Sequence, residues 1–240
     1  MQLPGQTVIL IGGSAGIGLE TARLARSEGA DVILVGRDAG RLEAAAAEVG
    51  AAGTAAFDAN DPAALKGFFE GLPGQIDHVL VTAGGPSYGP MLEMAPEQVR
   101  DVLSGHILLG LDVARHAAPR MRPGGTLLLM GGTGGRRVSR ELGIVSAATA
   151  ALPPFVATLA LEIAPVRVNL IAAGFVDTPL SASLLGTGLE ARREQLRSTL
   201  PIGRVVEPAD VAALAVHLMA NTALTGATYD IDGGQQFVRA

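Results

Sequence analysis

The residues with the clearest chemical consequence in this sequence are glycines. GGSAGIG, Gly12 to Gly18, joins an apolar run to the start of an expected helix. Glycine accepts positive φ and lets a phosphate come close to the backbone, while the free N–H groups and dipole of a following helix attract it. Taken alone the loop is weak evidence, because two other chemistries share its letters. Gly13 and Gly18 have P-loop spacing, but Leu19-Glu20 stand where Lys-Ser/Thr is required. Gly12-Gly13-Ser14-Ala15-Gly16 also spells G-x-S-x-G, the hydrolase nucleophile elbow. That elbow follows several strands, whereas only one precedes this loop, and no late acid-then-histidine pair presents itself. A tight strand-to-helix turn without a ligand is the plainest alternative.

Other reactive groups are scarce. There is no cysteine, so no disulfide framework, thiolate metal site or cysteine nucleophile exists, and no metal is expected. Lys66 is the only lysine, and Tyr88 and Tyr229 are the only tyrosines. The formal net charge of −5 argues against a general nucleic-acid binder. LGIVSAATAALPPFVATLAL, Leu142 to Leu161, contains no ionisable side chain and is just long enough to span a bilayer. It is rich in Ala and Thr, carries Pro153-Pro154 and lacks basic or aromatic flanks, so a buried helix is the better reading. The start, MQLPGQTVILIGG, has no basic n-region and runs directly into a strand pattern, unlike a signal peptide. A soluble, cytoplasmic protein is expected.

These residues must be held by a scaffold, and the chain alternates accordingly. Strand-like runs TVILIGG (7–13), DVILVG (31–36), TAAFD (54–58), IDHVLVTAG (76–84), TLLLMGG (126–132), VRVNLIAAG (166–174) and the closing TYDIDGG alternate with helical patterns, including a long one from about Pro96 to Met121. Apolar strands separated by helices predict a parallel sheet covered on both faces. With 240 residues and no linker, repeat or low-complexity break, the reading is one Rossmann-type, doubly wound α/β domain of about seven strands.

The spacing G-x-x-x-G-x-G at Gly12, Gly16 and Gly18 resembles that of the short-chain dehydrogenase/reductase family. The likeness continues through FDAND (57–61), VTAGG (81–85), RVNLIAAGFVDTP (167–179) and PIGRVVEPADVAALAVHLMA…TGATYDIDGG, and so covers essentially the whole chain. It implies a dinucleotide site using Gly12, Ser14, Gly16, Ile17, Gly18, Asp58 (towards adenine), Ala83, Gly84, Val176 and Thr178, with a substrate lid at about 179–204. The second strand ends at Val35-Gly36-Arg37. An acid there would hold a ribose 2′-hydroxyl and repel a 2′-phosphate. Glycine occupies the position instead, and Arg37, helped by Ser14, can grip a phosphate. NADP(H) is therefore favoured over NAD(H), the alternative for Arg37 being a solvated loop residue.

The resemblance breaks at the active site. Family members carry a catalytic Ser and a Tyr-x-x-x-Lys pair, but here Gly132, Val145 and Thr149 fall at those positions, and His106 replaces an Asn that supports the proton relay. No Tyr-x-x-x-Lys occurs anywhere in the chain. Substitutes are few: His106 can titrate near neutrality, Thr133 could position a carbonyl, and Tyr88 could reach the cleft. A satisfied helix histidine, an ordinary loop hydroxyl and a packed loop ring are their plainer readings. Arg192, Arg193 and Arg197 on the lid segment could select an anionic substrate or form a solvated helix face. Three functions stay open: an NADP(H)-dependent oxidoreductase acting on an activated carbonyl, imine or enone; an NADP(H)-binding sensor or partner subunit without turnover; or a scaffold reused for non-redox chemistry. The family further implies a small-molecule substrate and a homo-oligomer. Each interior proline lacks an N–H and costs about 3 kcal/mol, so a bend or break between Thr149 and Phe155 is expected, with altered subunit packing.

Overall fold

A computed structural model describes residues 2–238. In chain order the elements are β1 (Thr7–Ile11), α1 (Gly16–Ser27), β2 (Asp31–Gly36), α2 (Ala39–Val49), β3 (Gly53–Ala56), α3 (Pro62–Glu70), β4 (Ile76–Val81), α4 (Pro96–Leu103) and α5 (Leu109–Ala117). There follow β5 (Met121–Gly132), α6 (Ile144–Glu162), β6 (Arg167–Ala173), α7 (Pro179–Leu185), α8 (Leu189–Thr199), α9 (Pro208–Ala220) and β7 (Thr228–Ile231). All seven strands are parallel in the order β3-β2-β1-β4-β5-β6-β7. The order reverses between β1 and β4, where an open α/β sheet leaves a crevice at its carboxyl edge.

Both faces are buried, which explains the continuous apolar strands. Ile9 and Ile11 of β1 enter one core with Val79, Leu127, Leu152 and Val156, while Val8 and Leu10 enter the other with Leu34, Leu80, Leu128 and Val211. Period-two alternation thus serves two cores at once. Arg167 is buried at the foot of β6, where its guanidinium donates to the carbonyls of Leu218 and Met219 at 2.8 Å and of Asn221 at 2.9 Å. The first arginine of the RVN segment therefore ties the end of α9 to the sheet.

Two expectations are corrected. The long helix expected from Pro96 to Met121 is interrupted by a π-helical turn at Ser104–Leu108, and Met121 already belongs to β5. The backbones are close there: a Cβ on Gly84 would lie 3.3 Å from the Gly105 carbonyl oxygen. Such widened turns commonly mark functional positions, and this one carries His106.

Of the bend or break expected between Thr149 and Phe155, the break does not occur: α6 is continuous from Ile144 to Glu162. Its inner face holds it: Leu152 and Val156 are fully buried and Leu159 nearly so, each side chain contributing about 1.5–3 kcal/mol against the proline cost. Pro154 and Ala150 are exposed, and Thr149, Ala150 and Pro153 line a second cavity of about 180 Å³, where water can replace the missing N–H donors. By length and composition α6 is apolar enough to cross a membrane. Its buried face nevertheless makes it a core helix of this fold, with Ala147, Ala151, Thr158 and Leu161 outward.

Candidate active site

The glycine loop turns tightly against the end of β4. Gly12 has φ +98°, and a Cβ there would lie 2.4 Å from Thr82 Oγ1; a Cβ on Gly18 would lie 2.3 Å from the Gly12 carbonyl oxygen. Neither space can hold a methyl group. The Thr82 hydroxyl lies 3.2 Å from the carbonyls of both Ile11 and Gly12, locking strand to loop. At the start of α1, Ala15 supplies no side-chain cap and the first turn has no acid, so the leading N–H groups are not spent on the protein's own side chains. These features fit a pyrophosphate.

At the end of β2, a Cβ on Gly36 would approach Ser14 Oγ to 3.2 Å, so Ser14 stands beside the position where an acid would discriminate. Arg37 is exposed and forms no ion pair among the described residues. Asp58, also exposed, accepts from the Asn60 amide N–H at 3.0 Å and its side-chain nitrogen at 3.1 Å. Ser14, Arg37 and Asp58 thus sit at or just beyond the carboxyl ends of β1, β2 and β3.

Continuing across the reversal point, a cavity of about 230 Å³ opens over the ends of β4, β5 and β6. Ile17, Ala83, Gly84, Tyr88, His106, Gly132, Val145, Thr149, Val176 and Thr178 all line it. Thr178 also caps α7, accepting from the Ser181 N–H at 3.1 Å, and a Cβ on Gly16 would lie 3.5 Å from it, so loop and cavity share a wall. Thr133 is not brought into the cavity; it is buried at the start of a short 3₁₀ turn, Thr133–Arg136. Sequence reasoning missed Thr82, Phe175, Leu180, Ser181 and Leu184, all of which line the cavity. Each had a signal: Thr82 immediately precedes the Ala83-Gly84 pair, Phe175 precedes Val176, and Leu180, Ser181 and Leu184 fall in the segment expected as the lid.

The polar groups of the cavity are limited. Thr149 donates its hydroxyl to its own helix, 2.8 Å from the Val145 carbonyl, and Val145 has no proton to give. His106 Nδ1 lies 2.8 Å from the Val102 carbonyl. A carbonyl only accepts, so Nδ1 carries the proton and Nε2 is left as acceptor in the neutral ring. Surrounding protein raises the Tyr88 phenol above its ordinary range, and the Arg192 charge partly opposes that shift. Among the lining residues, only His106 and Tyr88 carry an ionisable side chain.

A parallel sheet with a glycine loop after its first strand, and a cavity at its carboxyl edge, defines a Rossmann-type dinucleotide fold. The family model described as enoyl-(acyl carrier protein) reductase matches residues 12–236. An uncharacterized oxidoreductase of Mycobacterium tuberculosis is 31% identical over 98% of this chain and 94% of its own length. The NADP-dependent (R)-specific alcohol dehydrogenase of Lentilactobacillus kefiri is 30% identical, with 97% of each chain covered. Among solved structures, L-sorbose reductase from Gluconobacter frateurii, complexed with NADPH and L-sorbose, superposes with a TM-score of 0.89 at 27% identity, covering 100% of both chains. This chain belongs to the short-chain dehydrogenase/reductase family.

Proposed function

We propose that this chain is an NADP(H)-dependent reductase of an activated carbonyl, imine or enone, working without the family's Tyr-Lys pair. The observation that carries the reading is the shared wall: Thr178 faces both the glycine loop and the cavity. NADP(H), when bound, would supply the hydride. Gly12, Gly16 and Gly18 would admit its pyrophosphate to the start of α1, and Arg37 with Ser14 would receive the 2′-phosphate. The NADPH held by L-sorbose reductase and the NADP dependence of the L. kefiri enzyme support the same preference.

The residues at hand set the chemistry. Val145 cannot protonate a developing alkoxide, and the Thr149 hydroxyl is committed to its helix. His106 is the group we assign to proton transfer, from Nε2 of its protonated ring to the reduced substrate. Acceptors needing little proton assistance suit such a site.

A second reading, NADP(H) binding without turnover, is favoured by the same apolar Val145. One experiment separates the two: titrate the protein with NADPH and NADH, then follow oxidation of bound NADPH against carbonyls, imines and enones. Turnover that falls in His106→Gln supports the reductase. Tight NADPH binding with no turnover supports the second reading or a non-redox use of the pocket. Equal affinity for both nucleotides sinks the cofactor preference.

A further inference from the structure

We propose that Arg192, held against the cavity-lining Phe175, binds an anion beside the cavity, so that the substrate is an apolar molecule ending in a carboxylate or phosphate monoester. The proposal rests on reading the cavity as the substrate pocket.

The three lid arginines of α8 are not alike. Arg193 forks onto Asp177 with both contacts at 2.8 Å and reaches Glu190 at 3.2 Å. Arg197 reaches Glu190 at 3.1 Å and Glu194 at 3.2 Å. Among the described residues Arg192 meets no carboxylate and donates only to the Gln195 side-chain carbonyl at 2.7 Å, and its guanidinium lies 6.0 Å from the centre of the Phe175 ring. Phe175 lines the cavity, so this contact holds the free charge beside the opening. Arg137, on the turn after β5, forms no ion pair among the described residues, and its charge lowers the Arg192 pKa further after the larger effect of burial. Among the described residues Arg192 thus keeps an uncompensated charge, in a chain with 23 acidic against 18 basic residues. An incoming anion would compensate that charge, and an arginine fork suits carboxylate or phosphate oxygens.

The surrounding wall defines the rest of the ligand. Leu180, Leu184 and Tyr88 line the cavity. An apolar body would lie on these side chains with its acidic end turned to Arg192.

Octanoate and octyl phosphate, titrated calorimetrically into NADP⁺-saturated protein with octan-1-ol as the uncharged control, test the proposal. At least one acid should bind more tightly than octan-1-ol and weaken with added salt. Arg192→Gln should reduce that affinity about tenfold, whereas Arg192→Lys should keep the salt dependence and Arg197→Gln the full affinity. Which acid binds identifies the head group. Equal binding of the acids by Arg192→Gln and the parent, no advantage over octan-1-ol, or an equal loss in Arg197→Gln would overturn it. Parallel NADP⁺ titrations isolate a failure of the cofactor reading, since the acids can also be titrated into nucleotide-free protein.

Discussion

Gly132→Ser, Val145→Tyr and Thr149→Lys, made together, would place a serine, a phenol and an ammonium on the wall of the cavity. The structure has room at the first position: a Cβ on Gly132 would meet the Ala173 carbonyl oxygen and Thr149 Cγ2 at 3.5 Å, both ordinary contacts, and φ there is −138°. Val145 packs beside Val102 and Ala148, so the new ring must extend into the cavity of about 230 Å³. Thr149→Lys gives up one hydroxyl bond to the Val145 carbonyl, which the helix ladder does not require. The ammonium then lies four residues, about one turn, beyond the phenol. A positioned general acid is worth about 10²–10⁴ in rate, or about 2.7–5.4 kcal/mol of barrier at about 1.36 kcal/mol per decade. NADP⁺-dependent oxidation of a simple secondary alcohol, followed by NADPH absorbance, is very slow in the parent on this reasoning and should rise by such a factor in the triple variant. A folded variant with parental NADP⁺ affinity and the parental rate would refute the claim that the missing acid is what limits the reaction. Fast oxidation by the parent would show that Val145 and Thr149 do not stand at the reacting centre.

Arg37→Ala should weaken NADPH binding about tenfold while leaving NADH nearly unchanged, because it removes a charge-assisted contact to a group that only NADPH carries; equal losses for the two nucleotides would refute the assignment. Stability should depend on pH through His78, whose pKa burial pushes down to about 4 from 6.5, with Arg167 acting in the same direction and Asp77 against it. The unfolded chain binds this proton first, so the contribution is complete above pH about 6.5 and is lost towards pH about 4, to a total of about 3 kcal/mol. Urea unfolding should show the stability advantage of the parent over His78→Gln shrinking through that window, and parallel pH profiles would contradict it.

Seven apolar runs, each broken by a helical pattern, suffice to read a parallel sheet buried on both faces, because strand burial writes itself into composition. The nucleotide loop was legible because Gly12 and Gly18 answer contacts closer than any Cβ allows, and the absence of Tyr-x-x-x-Lys was certain because one lysine and two tyrosines leave no other register. Local rules failed where packing over a distance decides the outcome. Pro153-Pro154 signals a break by propensity, yet Leu152, Val156 and Leu159 hold α6 on the sheet through it. The π-helical turn at His106 sits where the chain after β4 runs close against Gly105, residues far apart in sequence. Thr133 and Gly132 are neighbours in the chain, but only Gly132 lines the cavity. Arg192 and Arg193 are adjacent and identical in type. The hundred-degree step between successive helical residues turns Arg193 to Asp177 and Arg192 to Phe175, and where Asp177 and Phe175 lie is set by the end of β6, which only the folded sheet positions.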